Sequence, residues 1–147
     1  MPTNRELLAE EARLWAELYR LVDGLPADRA SEPGYFEEGW SAKDLVGHIG
    51  SWLAEAGICL ERIRAGTYRD EEIDIDAMNA SFFEAMHDVP LPIVKSQSIA
   101  ARTRMLHAWG ELTETPPEAV RWIEKSGPAH YGEHLPRLRD WVAELGS

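Results

Sequence analysis

The chain carries one cysteine, Cys59, so no disulfide can close within it, and the disulfide frameworks of small secreted folds are excluded. A reducing cytoplasm is the simplest compartment for such a sequence. Basic residues are also scarce: 15 Lys and Arg stand against 26 Asp and Glu, a net charge of −11 with histidine neutral. Nucleic acids and anionic membranes are held by basic footprints, so neither is an expected partner. No apolar stretch reaches the roughly 20 residues of a transmembrane helix free of charges. The N-terminal residues, Met1-Pro2-Thr3-Asn4-Arg5-Glu6, lack the apolar core of a secretory signal. No strand-like alternation is convincing, and neither an internal repeat nor a low-complexity segment is found.

What remains is helical periodicity cut by Pro and Gly. At 147 residues and 44% hydrophobic content, the chain fits a single domain, residues 1–147, with a real core. A first helix is expected from about Asn4 to Val22, with Leu7, Leu8, Leu14, Trp15, Leu18, Tyr19, Leu21 and Val22 along its inner stripe. A loop through Pro33-Gly34-Tyr35-Phe36 to Gly39 follows. Ser41 then caps a second helix, assisted by Asp44 three residues on, and Gly66 ends it. Its stripe is Leu45, His48, Ile49, Trp52, Leu53, Ala56, Leu60 and Ile63; Gly47 and Gly50 sit within it and would admit close approach of a neighbour. The crossover 67–91 holds a helix of its own, about Ile73 to His87. Pro90 and Pro92 stop that helix, and a further long one runs from about Pro92 or Ile93 to Leu112 with Ile99, Leu106, Trp109 and Leu112 inward. Thr115-Pro116-Pro117-Glu118 signals a short helix, with Thr115 as cap and Pro116 in the first helical position. The last helix spans about Pro128 to Leu145, with Pro136 inside it. Four long helices around one core predict an all-α four-helix bundle, and the long crossover lets the second and third run parallel.

Of five histidines, three fall on or beside inward stripes: His48, His130 and His134. His130 and His134 are four apart, so their imidazoles project from one helical face a turn apart. His48 lies in an apolar stripe, where an unpartnered ring would be costly. Three imidazoles from two helices suit a divalent ion and leave coordination positions open, as catalytic sites do. The residues alone leave a second reading open, in which His48 is a hydrogen-bonded core histidine and the i, i+4 pair lies on a solvated face. His87 and His107 read as surface or boundary residues, and Glu133 as part of a solvated face. Trp40, Trp52 and Tyr131 are the candidate pocket walls, with core packing as the alternative for each. Glu55 reads as a boundary carboxylate and Cys59 as a small buried residue.

The segment Trp40-Ser41-Ala42-Lys43-Asp44-Leu45-Val46-Gly47-His48 resembles the second-helix motif of the DinB/YfiT-like superfamily, which includes the N-terminal domain of mycothiol-dependent maleylpyruvate isomerase. His130-Tyr131-Gly132-Glu133-His134-Leu135-Pro136-Arg137-Leu138 resembles its last-helix motif, and Asn79 fits a weaker pattern. The resemblance implies an up-down-down-up bundle with short extra helices in the crossovers. It implies a divalent ion, nickel or zinc, held by His48, His130 and His134, and a tendency to form homodimers. It further implies a transferase or isomerase acting on a small molecule with mycothiol or a similar low-molecular-weight thiol. A metal-dependent hydrolase and a metal-free binding or sequestering protein are the competing functions. The separate C-terminal domain of the isomerase is not expected in this chain, which makes maleylpyruvate itself an unexpected substrate.

Overall fold

The computed structural model describes residues 3–33 and 39–145, so the expected loop at 34–38 lies outside the described residues. Its elements are helices: α1 (Asn4–Asp23), α2 (Ala27–Ala30), α3 (Ala42–Ala65), α4 (Ile75–Met86), α5 (Leu91–Gly110), α6 (Pro117–Ser126) and α7 (Pro128–Leu145). None of the described helices is long and apolar enough to cross a membrane.

Local chemistry sets most of the ends. Thr3 and Glu6 form a reciprocal capping box that starts α1, and Ser41 and Asp44 form another that starts α3. Gly66 ends α3 at φ 73°, a left-handed conformation that costs other residues a steric penalty. α4 begins at Ile75 rather than Ile73, because the Asp74 carboxylate accepts from the Ala77 amide and makes Asp74 the cap. The start of α6 also departs from expectation. Pro116 is the cap and Pro117 the first helical residue. The Thr115 hydroxyl instead accepts a 2.7 Å bond from the Asn4 side-chain amide, fastening α6 to the start of α1.

Side-chain pairings give the helix directions. Gly50 lies against Ser98 and Gly57 against Met105, so residue numbers on α3 and α5 rise together and the two run parallel. Glu11 meets Tyr131 and Glu17 meets Arg139, so α1 and α7 are parallel too. Asp23 with Lys95, and Glu11 with Arg102, show that α1 and α5 are antiparallel. The four long helices therefore run up, down, down, up. A Cβ on Gly50 would stand 3.0 Å from the Ser98 Cα, so only glycine lets α5 come this close. One on Gly47 would stand 3.2 Å from the Met86 Cβ, which puts the end of α4 against α3 just before His48.

Leucines of α1, α3 and α7 fill the core with Trp15, Ile49, Met105, Trp109 and Ile123. Leu8 and Ile99, expected inward, are instead about half exposed, at 49% and 48%. Val94, Ser98, Met105, Ala108 and Trp109 form the buried face of α5 instead. Apolar residues surround that helix, so periodicity could not single out the inner face.

One charged group lies at the centre of the bundle. Glu11 is fully buried and accepts two bonds from Arg102, at 2.8 and 2.7 Å, and a third from the Tyr131 hydroxyl at 3.0 Å. Arg102 also lies over the Trp15 ring, 5.1 Å from its centroid. Three helices are thereby joined through one carboxylate.

Candidate metal centre and cavity

α7 presents two faces. Tyr131, Leu135 and Leu138 point into the core, while His130 and His134 turn toward α3 and meet His48. The His48 and His130 Nε2 atoms are 2.9 Å apart, and one ligand atom from each of the three rings lies within 4.8 Å of the others. Ring centroids are separated by 4.8 Å for His48 and His130, 5.3 Å for His48 and His134, and 4.8 Å for His130 and His134. His130 is buried; His48 and His134 are half-buried.

Burial keeps the His48 and His130 rings neutral. It pushes the His48 pKa down to about 3, and the neighbouring His134 adds to the shift. His130 is lowered well below the usual histidine range, first by burial, then by His48 and His134, with the Ser126 backbone acting the other way. Neutral imidazole is the form that binds metals. Two nitrogens on one tetrahedral ion, with bonds of about 2.0–2.1 Å, stand about 3.3–3.4 Å apart. The 2.9 Å His48–His130 pair lies near that spacing, and a cluster within 4.8 Å closes on an ion with a small inward shift of the rings. The residues thus fit a divalent cation.

The three rings open onto a cavity of about 680 Å³, a size typical of small-molecule sites. Trp40 and Trp52 both line it. The Trp40 ring packs 4.7 Å from the His48 ring, and Trp52 donates its indole N–H to Asn79 on α4 at 2.7 Å. Tyr131 does not line the cavity. It is fully buried beside Trp15, and burial together with the Glu11 charge drives its hydroxyl pKa upward. Proximity in sequence to His130 misleads here, because adjacent helical residues point about 100° apart.

Glu55 is not among the lining residues, whereas Glu133, though exposed, stands at the cavity wall. Cys59 is buried, with its thiol pKa pushed up to about 11 by burial and by Glu55, so it is a poor nucleophile. His107 is exposed. His87 is bound to Asp44, with Nδ1 3.0 Å from Oδ1, so Asp44 both caps α3 and anchors the end of α4.

Part of the wall was not anticipated: Tyr68 from the crossover and Arg121, Trp122, Lys125 and Ser126 from α6. Trp122 donates to the Tyr68 hydroxyl at 3.0 Å, and Arg121 reaches Asp70 at 3.2 Å. A signal did exist. Residues 121, 122, 125 and 126 repeat the i, i+1, i+4, i+5 pattern of Ala129, His130, Glu133 and His134 on the next helix. Only the packing of α6 on α7 shows that both faces border one space.

Comparison with known proteins places this arrangement. No curated protein matches the chain in sequence. A crystal structure of an uncharacterised protein from Escherichia coli UTI89 superposes with a TM-score of 0.81, covering 98% of this chain and 95% of that one. The two are 15% identical, so the likeness speaks for the fold alone. The mycothiol maleylpyruvate isomerase N-terminal domain matches residues 12–143, a span that includes all three clustered histidines, and the chain belongs to that family.

Proposed function

We propose that this protein is a metal-dependent enzyme that transfers or isomerises a small substrate with the help of a low-molecular-weight thiol such as mycothiol. The observation that carries the reading is the cluster itself: three imidazoles, two of them 2.9 Å apart, bordering a 680 Å³ cavity. His48, His130 and His134 would hold a nickel or zinc ion. That ion, when bound, supplies Lewis acidity that lowers the pKa of a thiol or water in its remaining positions. The protein's own groups do the rest. Trp40 backs the His48 ring and holds its direction. Trp52, fixed by Asn79, supplies an apolar wall that keeps water from the reacting atoms. Cys59 takes no part, so the nucleophilic sulfur comes from outside the chain. The reading carries with it one bundle domain over 1–147, a cytoplasmic setting and a tendency to pair as homodimers.

Metal analysis of untagged protein tests this. One equivalent of metal is expected, lost in His48→Ala, His130→Ala and His134→Ala. Metal-free protein of unchanged stability would favour a second reading, a metal-free binding protein. The 2.9 Å contact supports that alternative, since two neutral rings can satisfy each other by donating and accepting one hydrogen bond. A panel of electrophiles assayed with and without added thiol separates the thiol enzyme from a hydrolase. Turnover that needs metal but no thiol assigns the site to hydrolysis.

A further inference from the structure

The sequence contains three lysines, and two of them serve the fold. Lys43 donates to the His87 and Val89 carbonyls at the end of α4, at 2.5 and 3.0 Å. Lys95 pairs with Asp23 at 2.9 Å. Lys125 makes no hydrogen bond or ion pair among the described residues, and it lines the cavity. Arg121 lines it too, one turn earlier on α6 and about 6 Å away along the axis. Its link to Asp70 is a single contact at 3.2 Å between side chains that are 48% and 71% exposed. Such a pair is weak, and most of the guanidinium donors remain available. Gly127 alone separates α6 from α7, so Lys125 stands five residues before His130. The cations thus border the same cavity as the histidine cluster, and the Trp122 and Trp52 rings lie tilted to one another along it with centroids 6.5 Å apart.

We infer that Arg121 and Lys125 form an anion subsite, and that the cavity takes a small molecule with an apolar or aromatic body and a carboxylate or phosphate at one end. The inference rests on reading this cavity as a substrate site, but not on a metal being bound. Asp70, Asp76 and Glu133 also face the cavity. The ligand anion therefore competes with Asp70 for Arg121, and a dense polyanion is disfavoured. Arg121 supplies a planar fork and Lys125 a point charge, which together suit an oxyanion. In a chain of net charge −11, two cations at one wall give the anion a defined orientation.

Titration calorimetry and tryptophan fluorescence with phenylacetate, phenyl phosphate and the neutral phenylacetamide test the subsite. At least one anion is expected to bind tenfold or more tightly than the amide, and the ratio of the two anions distinguishes carboxylate from phosphate. The preference should fall below threefold in Arg121→Gln/Lys125→Gln, whose positions are exposed and whose folding is checked by circular dichroism. It should survive in His48→Ala, so that failure of the metal reading leaves this result intact. Equal binding of acid and amide, no binding of either anion, or a preference kept by the double variant would overturn the subsite. A preference lost in His48→Ala would overturn it as well, by placing the anion at the histidines.

Discussion

Replacing Glu11 by Gln keeps the shape of the buried side chain and removes its charge. Arg102 would then face a neutral amide in a site that excludes water on the carboxylate side, where Glu11 is fully buried and the Arg102 side chain only 22% exposed. Breaking a buried pair by neutralising one partner costs about 3–5 kcal/mol. The partial exposure of Arg102 sets the expectation at the lower end, about 3 kcal/mol. Tyr131→Phe removes only one donor to the carboxylate, a bond to a charged group worth about 1.5–3 kcal/mol. Glu11→Gln/Tyr131→Phe should cost less than the sum of the singles, because both act on one network. Urea denaturation monitored by circular dichroism measures all three. The same variants, where folded, should keep the metal stoichiometry of the parent, since Tyr131 faces away from the cavity. A loss below about 1 kcal/mol for Glu11→Gln would refute the assignment of this carboxylate as a central tie between α1, α5 and α7.

Acid stability follows from the neutral rings. The folded His48 pKa, about 3, lies below the unfolded value of 6.5, so its contribution is fully present above pH 6.5 and is lost as pH falls toward 3. The loss is about 1.4 kcal/mol per pH unit, or about 2 kcal/mol at pH 5. The stability difference between metal-stripped wild type and His48→Gln should shrink by that amount between pH 7.5 and 5; a pH-independent difference would mean that the ring takes up protons in the folded state. Gly50→Ala drives a Cβ to 3.0 Å from the Ser98 backbone, so separating α3 from α5 should cost about 1–3 kcal/mol, read as a lowered Tm. An unchanged Tm would show that the two helices part freely.

Much of the bundle was legible because helix ends are local events. The Ser41–Asp44 cap, the Gly66 stop and the Pro92 and Pro128 breaks each depend on a few adjacent residues, and the structure keeps them within a residue or two. The clustered histidines were legible for a related reason: i, i+4 spacing and an apolar stripe constrain where rings can point. Misreadings arose where the pattern was degenerate. α5 offers apolar residues on several faces, and its inner face is chosen by the glycines of α3 rather than by its own periodicity. Thr115 can cap a helix or reach Asn4, and the placing of residue 115 against the start of α1 decides for Asn4.

By itself the sequence determined the helices, their approximate ends, the acidic surface and the three imidazoles disposed to converge, because each follows from residue type and spacing within one or two turns. Tertiary structure alone decided that α6 and the crossover wall the cavity, that Tyr131 belongs to Glu11 rather than to the site, and that Arg121 and Lys125 border the same cavity as the histidines. Those relations join residues up to 120 positions apart. They arise from which helix faces bury one another, and no local pattern records that choice.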